Sequence, residues 1–188
     1  MRKKIFISII ALLLLITVFF LLSQRSKHES SNVLTAALKE NICKEVKAKI
    51  GDCQRILLYD ADSHLVFVES SFDVVPVLID KNGTDFKKII YPTMDFQEFK
   101  EEKTEIGPID WRVSNNVQRN FSIAYGFVDK DIKTIVINSE GNKEPKRFPI
   151  RDDLSGWYFI KKDKIKTPLE VTAKNSKGQI LEDENQED

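Results

Sequence analysis

From Ile5 to Leu22 every residue is apolar except Ser8 and Thr17. At a helical rise of about 1.5 Å per residue this run spans roughly 27 Å, close to the thickness of a bilayer's hydrocarbon core. It exceeds the ordinary apolar region of a cleaved signal, about 7 to 15 residues. The cleavage rule also fits poorly: a cut after Ser23 places Leu21 at the small-residue position, and a cut after Ser26 places Gln24 there. The run is therefore read as a transmembrane helix that stays as an anchor, with a secreted product of signal cleavage as the alternative. Arg2, Lys3 and Lys4 precede it, while Arg25 and Lys27 follow it beside Glu29. That asymmetry orients the N-terminus to the cytoplasm and the rest of the chain outward.

Beyond a polar spacer at 24–32 the pattern changes to helical spacing. Leu34, Leu38, Ile42 and Val46 recur every four residues, and Lys39, Glu40, Lys44 and Lys47 take the wet faces. This predicts one amphipathic helix, capped by Asn32 and stopped near Gly51, that packs on the body. From there the period becomes that of strands. "RILLYD" and "HLVFVES" flank a tight "ADS" connection, and "VVPVLID" and "DFKKIIY" flank "KNGT", where Asn82-Gly83 tolerates positive φ. These four runs predict an antiparallel meander, with Pro76 marking an edge strand or a bulge. "TMDFQEFKEEK" predicts a short helix capped by Thr93 or Asp95.

The second half is again β. In "FSIAYGF", Phe121, Ile123, Tyr125 and Phe127 share one face. Ser122, Ala124 and Gly126 leave the other open to close approach by backbone. "IKTIVIN" and "WYFIKK" are apolar on both faces, as central strands are, and "LEVTAKN" alternates with Leu169, Val171 and Ala173 inward. "SEGNK" and "NSKGQ" read as hairpin turns. The predicted fold is mainly β, antiparallel, a sandwich-like arrangement or meander, with α+β as the alternative. The organisation is an anchor at 1–23, a linker at 24–32, one extracytoplasmic β-rich domain at 33–181 and an acidic tail at 182–188.

Charge narrows the function. The whole chain is formally neutral, with 29 basic and 29 acidic residues; leaving out the three basic residues before the apolar run gives −3, and five acids sit in the terminal "EDENQED". The near-balanced body lacks the basic field of a nucleic-acid binder. The two cysteines, Cys43 and Cys53, are spaced for a disulfide closing a loop of about ten residues in an oxidising compartment, with two reduced thiols as the alternative. Neither has the surroundings of a nucleophile.

Catalytic and metal motifs are absent from the sequence. His28-Glu29 begins like a zinc-protease helix, but Asn32 stands where the second ligand belongs. His64, near Asp60 and Asp62, has no activated serine or glycine-flanked nucleophile to serve and reads as a turn histidine. "DKNGTD", with Asp80, Asn82 and Asp85, departs from a calcium loop in its glycine position and at Tyr91, so it reads as a hairpin. The acid pairs Asp129/Asp131 and Asp152/Asp153 fall in connections. Asn82 and Asn120 match the glycosylation acceptor pattern, by chance if the source is bacterial. No cofactor or metal is predicted. Trp111, Trp157 and Tyr125 are the candidate binding residues, and "GPIDWRV" is the stronger surface candidate because Gly107-Pro108 breaks the chain before it.

The strand ending in Tyr-Gly, then "DKDIKTIVINSEG", the Trp-Tyr-Phe strand and "LEVTAKNSKGQIL" together resemble small anchored or exported envelope proteins of Gram-positive bacteria. The likeness covers about residues 117–181. It implies compartment and fold and brings no catalytic residues. The functional expectation is a non-enzymatic, membrane-anchored module that binds an envelope protein or wall component. A sensory or accessory subunit of a membrane complex is the alternative, and a hydrolase-type enzyme built from scattered residues comes third.

Overall fold

The computed structural model describes residues 33–151 and 153–181. The expected anchor, linker and tail, and with them His28, Glu29, Asn32 and Asp152, lie outside the described residues. No helix among the described residues is long and apolar enough to cross a membrane.

The described residues are mainly antiparallel β, 49% strand with two helices. Helix α1 (Ala36–Lys49) presents Leu38, Ile42 and Val46 as one buried stripe. Thr35, rather than Asn32, caps it: its side chain accepts the Leu38 N–H at 3.2 Å. A threonine adjoining the first turn satisfies an orphan donor that a residue three positions earlier cannot reach.

Strands β1 (Cys53–Asp60), β2 (Leu65–Ser70), β3 (Asp73–Ile79) and β4 (Phe86–Ile89) form the expected meander, and β5 (Met94–Asp95) adds to β3 beyond β4. Every residue of β2 is buried, because α1 covers one face of this sheet and a second sheet covers the other. Alternation sorts the residues: Val66, Val68, Val75 and Val77 meet α1, while Leu65, Phe67, Val74 and Leu78 meet the second sheet.

β3 lies inside its sheet, which corrects the edge-strand half of the expectation for Pro76 but not the alternative of an irregularity in the pairing. It pairs with β4 from Val77 onward and with β5 at Asp73 and Val74, leaving Pro76 opposite the gap between them. Its carbonyl takes the Ile90 N–H at 2.8 Å. The missing donor thus faces a local break in the ladder, which makes the position an edge in all but strand order.

Asp95 caps helix α2 (Phe96–Ile106), accepting from Gln97 N and Glu98 N. The second sheet runs in the order β6 (Arg112–Gln118), β7 (Phe121–Asp129), β10 (Leu154–Lys161), β9 (Lys146–Arg151). Its inner face carries Phe121, Ile123, Tyr125, Phe127, Phe148 and Tyr158 against the first sheet, joined by Phe99 of α2. Gly156 pairs with both Phe127 and Phe148, and the Phe148 ring fills the space its side chain would need.

The outer face, with Ala124, Val128 and Trp157, packs on a third sheet ordered β12 (Ile180–Leu181), β11 (Val171–Asn175), β8 (Ile132–Ile137). This corrects β8, expected as a central strand. It pairs only with β11, and its apolar residues Ile132, Ile135 and Ile137 are buried by layer packing instead of by two strand neighbours. "SEGNK" is a turn led by a short 3-10 segment and closed by Ile137 and Lys143, which exchange both backbone hydrogen bonds as an isolated antiparallel bridge before the chain passes to β9 of another sheet. The order of layers is α1, first sheet, second sheet, third sheet, one layer more than a two-sheet sandwich. Cys43 of α1 and Cys53 of β1 lie at disulfide distance, with Cα atoms 5.2 Å apart.

Candidate functional site

Before β6 begins, residues 108–110 run beside β7 as an irregular extension of it. Ile109 bridges Val128, Asp129 N donates to Pro108 O, and Asp110 N donates to Phe127 O. Asp110 then departs from ordinary strand pairing. Its carboxylate accepts the Phe127 N–H, so main chain and side chain of one residue complete both halves of that pairing. The Asp110 carbonyl, freed from the ladder, accepts the indole N–H of Trp157 at 3.1 Å. This close approach needs Gly126, since a side chain there would overlap the Asp110 carbonyl. Regular pairing resumes with Arg112 opposite Tyr125. Trp111, at the irregularity, is partly buried against the third-sheet core, as strand defects commonly re-aim a side chain.

Trp111 lines a cleft of about 330 Å³ with Pro92, Glu98, Glu102, Ile109, Asp110 and Arg112. Two carboxylates come from α2, one helical turn apart. Pro92 comes from the β4–β5 connection, and its carbonyl accepts the Tyr125 hydroxyl at 2.6 Å. Ser114 Oγ holds the neighbouring Tyr91 carbonyl at 2.7 Å. Arg112 donates through Nη1 to Asp110 and through Nη2 to Glu98, tying the floor of the cleft to the helix.

The electrostatics follow from burial. Loss of water pushes the Asp110 carboxyl up, with Arg112 and the Phe127 N–H pulling against it. Burial also opposes the Arg112 charge, but Asp110 and Glu98 outweigh it and hold the guanidinium above its ordinary value. Burial pushes the Tyr125 phenol up to about 12, so it serves as a neutral donor.

The three candidate residues from the sequence converge here in different roles. Trp111 lines the cleft. Trp157 and Tyr125 are fully buried behind it and hold the Asp110 and Pro92 carbonyls. "GPIDWRV" is the cleft's main segment and contributes Asp110 and Arg112 beside Trp111. Glu98 and Glu102 were missed altogether; their four-residue spacing in a predicted helix was the available signal.

A second, more open hollow of about 420 Å³ is lined by Leu58, Tyr59, Asp60, Ala61, Asp62, Lys146 and Tyr158. The buried Asp60 carboxylate accepts from Lys146 Nζ and Tyr158 Oη, each at 2.8 Å. It is already satisfied, and His64 does not join it. His64 sits in the β1–β2 turn at φ 57, with Nδ1 buried and unpartnered among the described residues. Asp80 closes the 80–85 hairpin by accepting from Thr84 N and Asp85 N. Among the described residues no three His, Cys, Asp or Glu side chains converge as a metal-binding group.

No family model, curated protein or solved structure matches the chain.

Proposed function

We propose that this protein is a membrane-anchored extracytoplasmic binding module, and that its ligand sits in the cleft between α2 and the 108–112 segment. The observation that carries the reading is the place of Trp111 at the wall of the cleft. Asp110 is fixed by Phe127 and Trp157, and the partly buried Trp111 that follows it packs against the third-sheet core and lines the cleft with the α2 carboxylates. Apolar walls with a few convergent polar groups are the usual make-up of a ligand site, and the volume is at the small-ligand end of the range. The Ile5–Leu22 run supports the anchor, and its flanking charges support an outward-facing domain. The Cys43–Cys53 pair suits an oxidising exterior. The partner class is an envelope protein or wall component. The cleft is lined by no serine, cysteine, lysine or histidine, and two of its three carboxylates are engaged by Arg112, which favours binding over catalysis.

Two measurements test this. The intact mass of the native protein, taken non-reduced from membrane and medium fractions, is expected to show the full chain in the membrane, lighter by two hydrogens. A truncated chain in the medium sinks the anchor. Small-molecule fractions of the envelope are expected to raise the melting temperature of the full chain but not of Trp111→Ala. A ligand at about 100 times its Kd adds roughly 2.7 kcal/mol. An equal response from both proteins rules out the cleft.

A further inference from the structure

Resting on the cleft reading above, we infer that the ligand presents an organic cation, an ammonium or guanidinium group on an apolar stem. The cleft sets three carboxylates, Glu98, Glu102 and Asp110, against one cation, Arg112. That cation is spent: Nη1 is on Asp110 and Nη2 on Glu98, and the side chain is only 11% exposed. An anionic ligand would have to displace one of these carboxylates from a buried guanidinium, which is costly. Glu102, by contrast, has no hydrogen-bond or ion-pair partner among the described residues. It lies one turn beyond Glu98 on the same face of α2, an arrangement of like charges that weakens a helix unless a cation comes between them.

The other walls select the form of the cation. The Trp111 indole lines the cleft, and aromatic rings attract ammonium and guanidinium groups, most strongly where water is displaced. Pro92 and Ile109 supply apolar surface for a stem. A bare metal ion would need several oxygen ligands, and among the described residues no three His, Cys, Asp or Glu side chains converge to hold one. A stemmed organic cation uses both kinds of wall.

The test uses the full-length chain in zwitterionic lipid nanodiscs, with its two tryptophans replaced by 5-fluorotryptophan and assigned through Trp111→Phe. Fluorine resonances are followed during titration with pentylammonium, 1-pentanol and pentanoate at neutral pH, with partition into empty nanodiscs subtracted. Pentylammonium is expected to move the Trp111 resonance saturably, leave Trp157 nearly still, and bind at least tenfold more tightly than the neutral and anionic probes. Glu102→Gln is expected to weaken pentylammonium about fivefold or more, with an unmoved Trp157 resonance reporting an intact fold. If pentanol or pentanoate moves Trp111 as strongly, or Glu102→Gln binds as tightly, the cationic class is overturned while the cleft stands as a site. If no probe moves Trp111, the inference and the cleft reading fall together.

Discussion

The backbone carbonyl of Asp110 occupies the space in which a side chain on Gly126 would stand. Neither partner has room to yield. The carbonyl is held by the Trp157 indole, the Asp110 carboxylate by the Phe127 N–H, and Gly126 belongs to the most buried strand of the second sheet. Gly126→Ala therefore forces the 108–112 segment off the sheet and is expected to cost about 3 kcal/mol, the upper end of the ordinary overpacking range. The melting temperature should fall by roughly 6–12 °C for a domain of this size. Gly51→Ala is the control: its added methyl meets nothing within 4 Å and its φ is not positive, so its stability should be unchanged or slightly raised. Equal effects of the two substitutions would mean that Asp110 does not lie against Gly126.

Glu69 is a buried carboxylate held between two arginines. Arg55 Nε donates to it at 2.6 Å from β1, and Arg151 Nη2 at 3.1 Å from β9. Arg55 also donates to Ile150 O, and Arg151 lies over the Phe96 ring at 4.0 Å. The cluster thus ties the first sheet to the second and to α2. Both arginines are about half exposed and can turn to water, so Glu69→Gln is expected to cost about 1–3 kcal/mol rather than the larger penalty of a fully buried pair. Urea melts of Glu69→Gln, of Arg55→Gln and of the two combined check the coupling. If the double variant is no more stable than the sum of the singles predicts, the carboxylate and Arg55 act independently.

What was legible in the sequence was what period alone determines. The α1 stripe, the first-sheet meander, the Asp95 cap and the small face of β7 all follow from spacing and turn residues. The small face also announced a close backbone approach, without revealing that the visitor is Asp110. Pro76 and β8 misled because periodicity reports burial and says nothing about which neighbour provides it. A gap in a ladder excuses an interior proline, and a stacked layer buries an edge strand. The cleft was half visible for the same reason: Trp111 and its Gly-Pro break stand out locally. Glu98 and Glu102 acquire meaning only when α2 is folded over residues 109–112, a juxtaposition no local pattern encodes.

The Cys43–Cys53 pair closes a loop of about ten residues between α1 and β1. Bridging is expected to add roughly 2–3 kcal/mol by restricting the unfolded chain. Three residues of α1, Leu38, Ile42 and Val46, are buried against the first sheet and fasten the helix independently of the two cysteines. Cys43→Ser with Cys53→Ser should therefore lower the urea midpoint while the helix stays docked, which amide exchange at Ile42 and Val46 will show. Loss of protection along all of α1 in the double variant would make the bridge, and not the apolar stripe, the main fastening.

Asp60 ties stability to pH. Burial alone would raise its carboxyl, but the Lys146 and Tyr158 hydrogen bonds and the Lys146 charge together outweigh that and hold it below the ordinary carboxylate value. The unfolded chain thus takes up this proton at a higher pH than the folded one, and stability falls as pH falls through the window from the ordinary value, about 4, down to the depressed folded one. Above that window the contribution is complete and flat. Tyr158→Phe removes one donor from a buried acceptor and is expected to cost about 1–2 kcal/mol at neutral pH. Lys146→Met removes the other donor and the charge, returning Asp60 toward or above its ordinary value. For both variants the deficit should be constant above the variant's own Asp60 value and shrink as pH falls from there to the depressed wild-type value, the range in which the variant carboxyl is protonated and the wild-type one is not. Urea melts at pH 7, 5 and 3 measure it directly. Deficits that run parallel across all three would show that Lys146 and Tyr158 act through packing over the second hollow, and that the Asp60 charge contributes nothing the fold depends on.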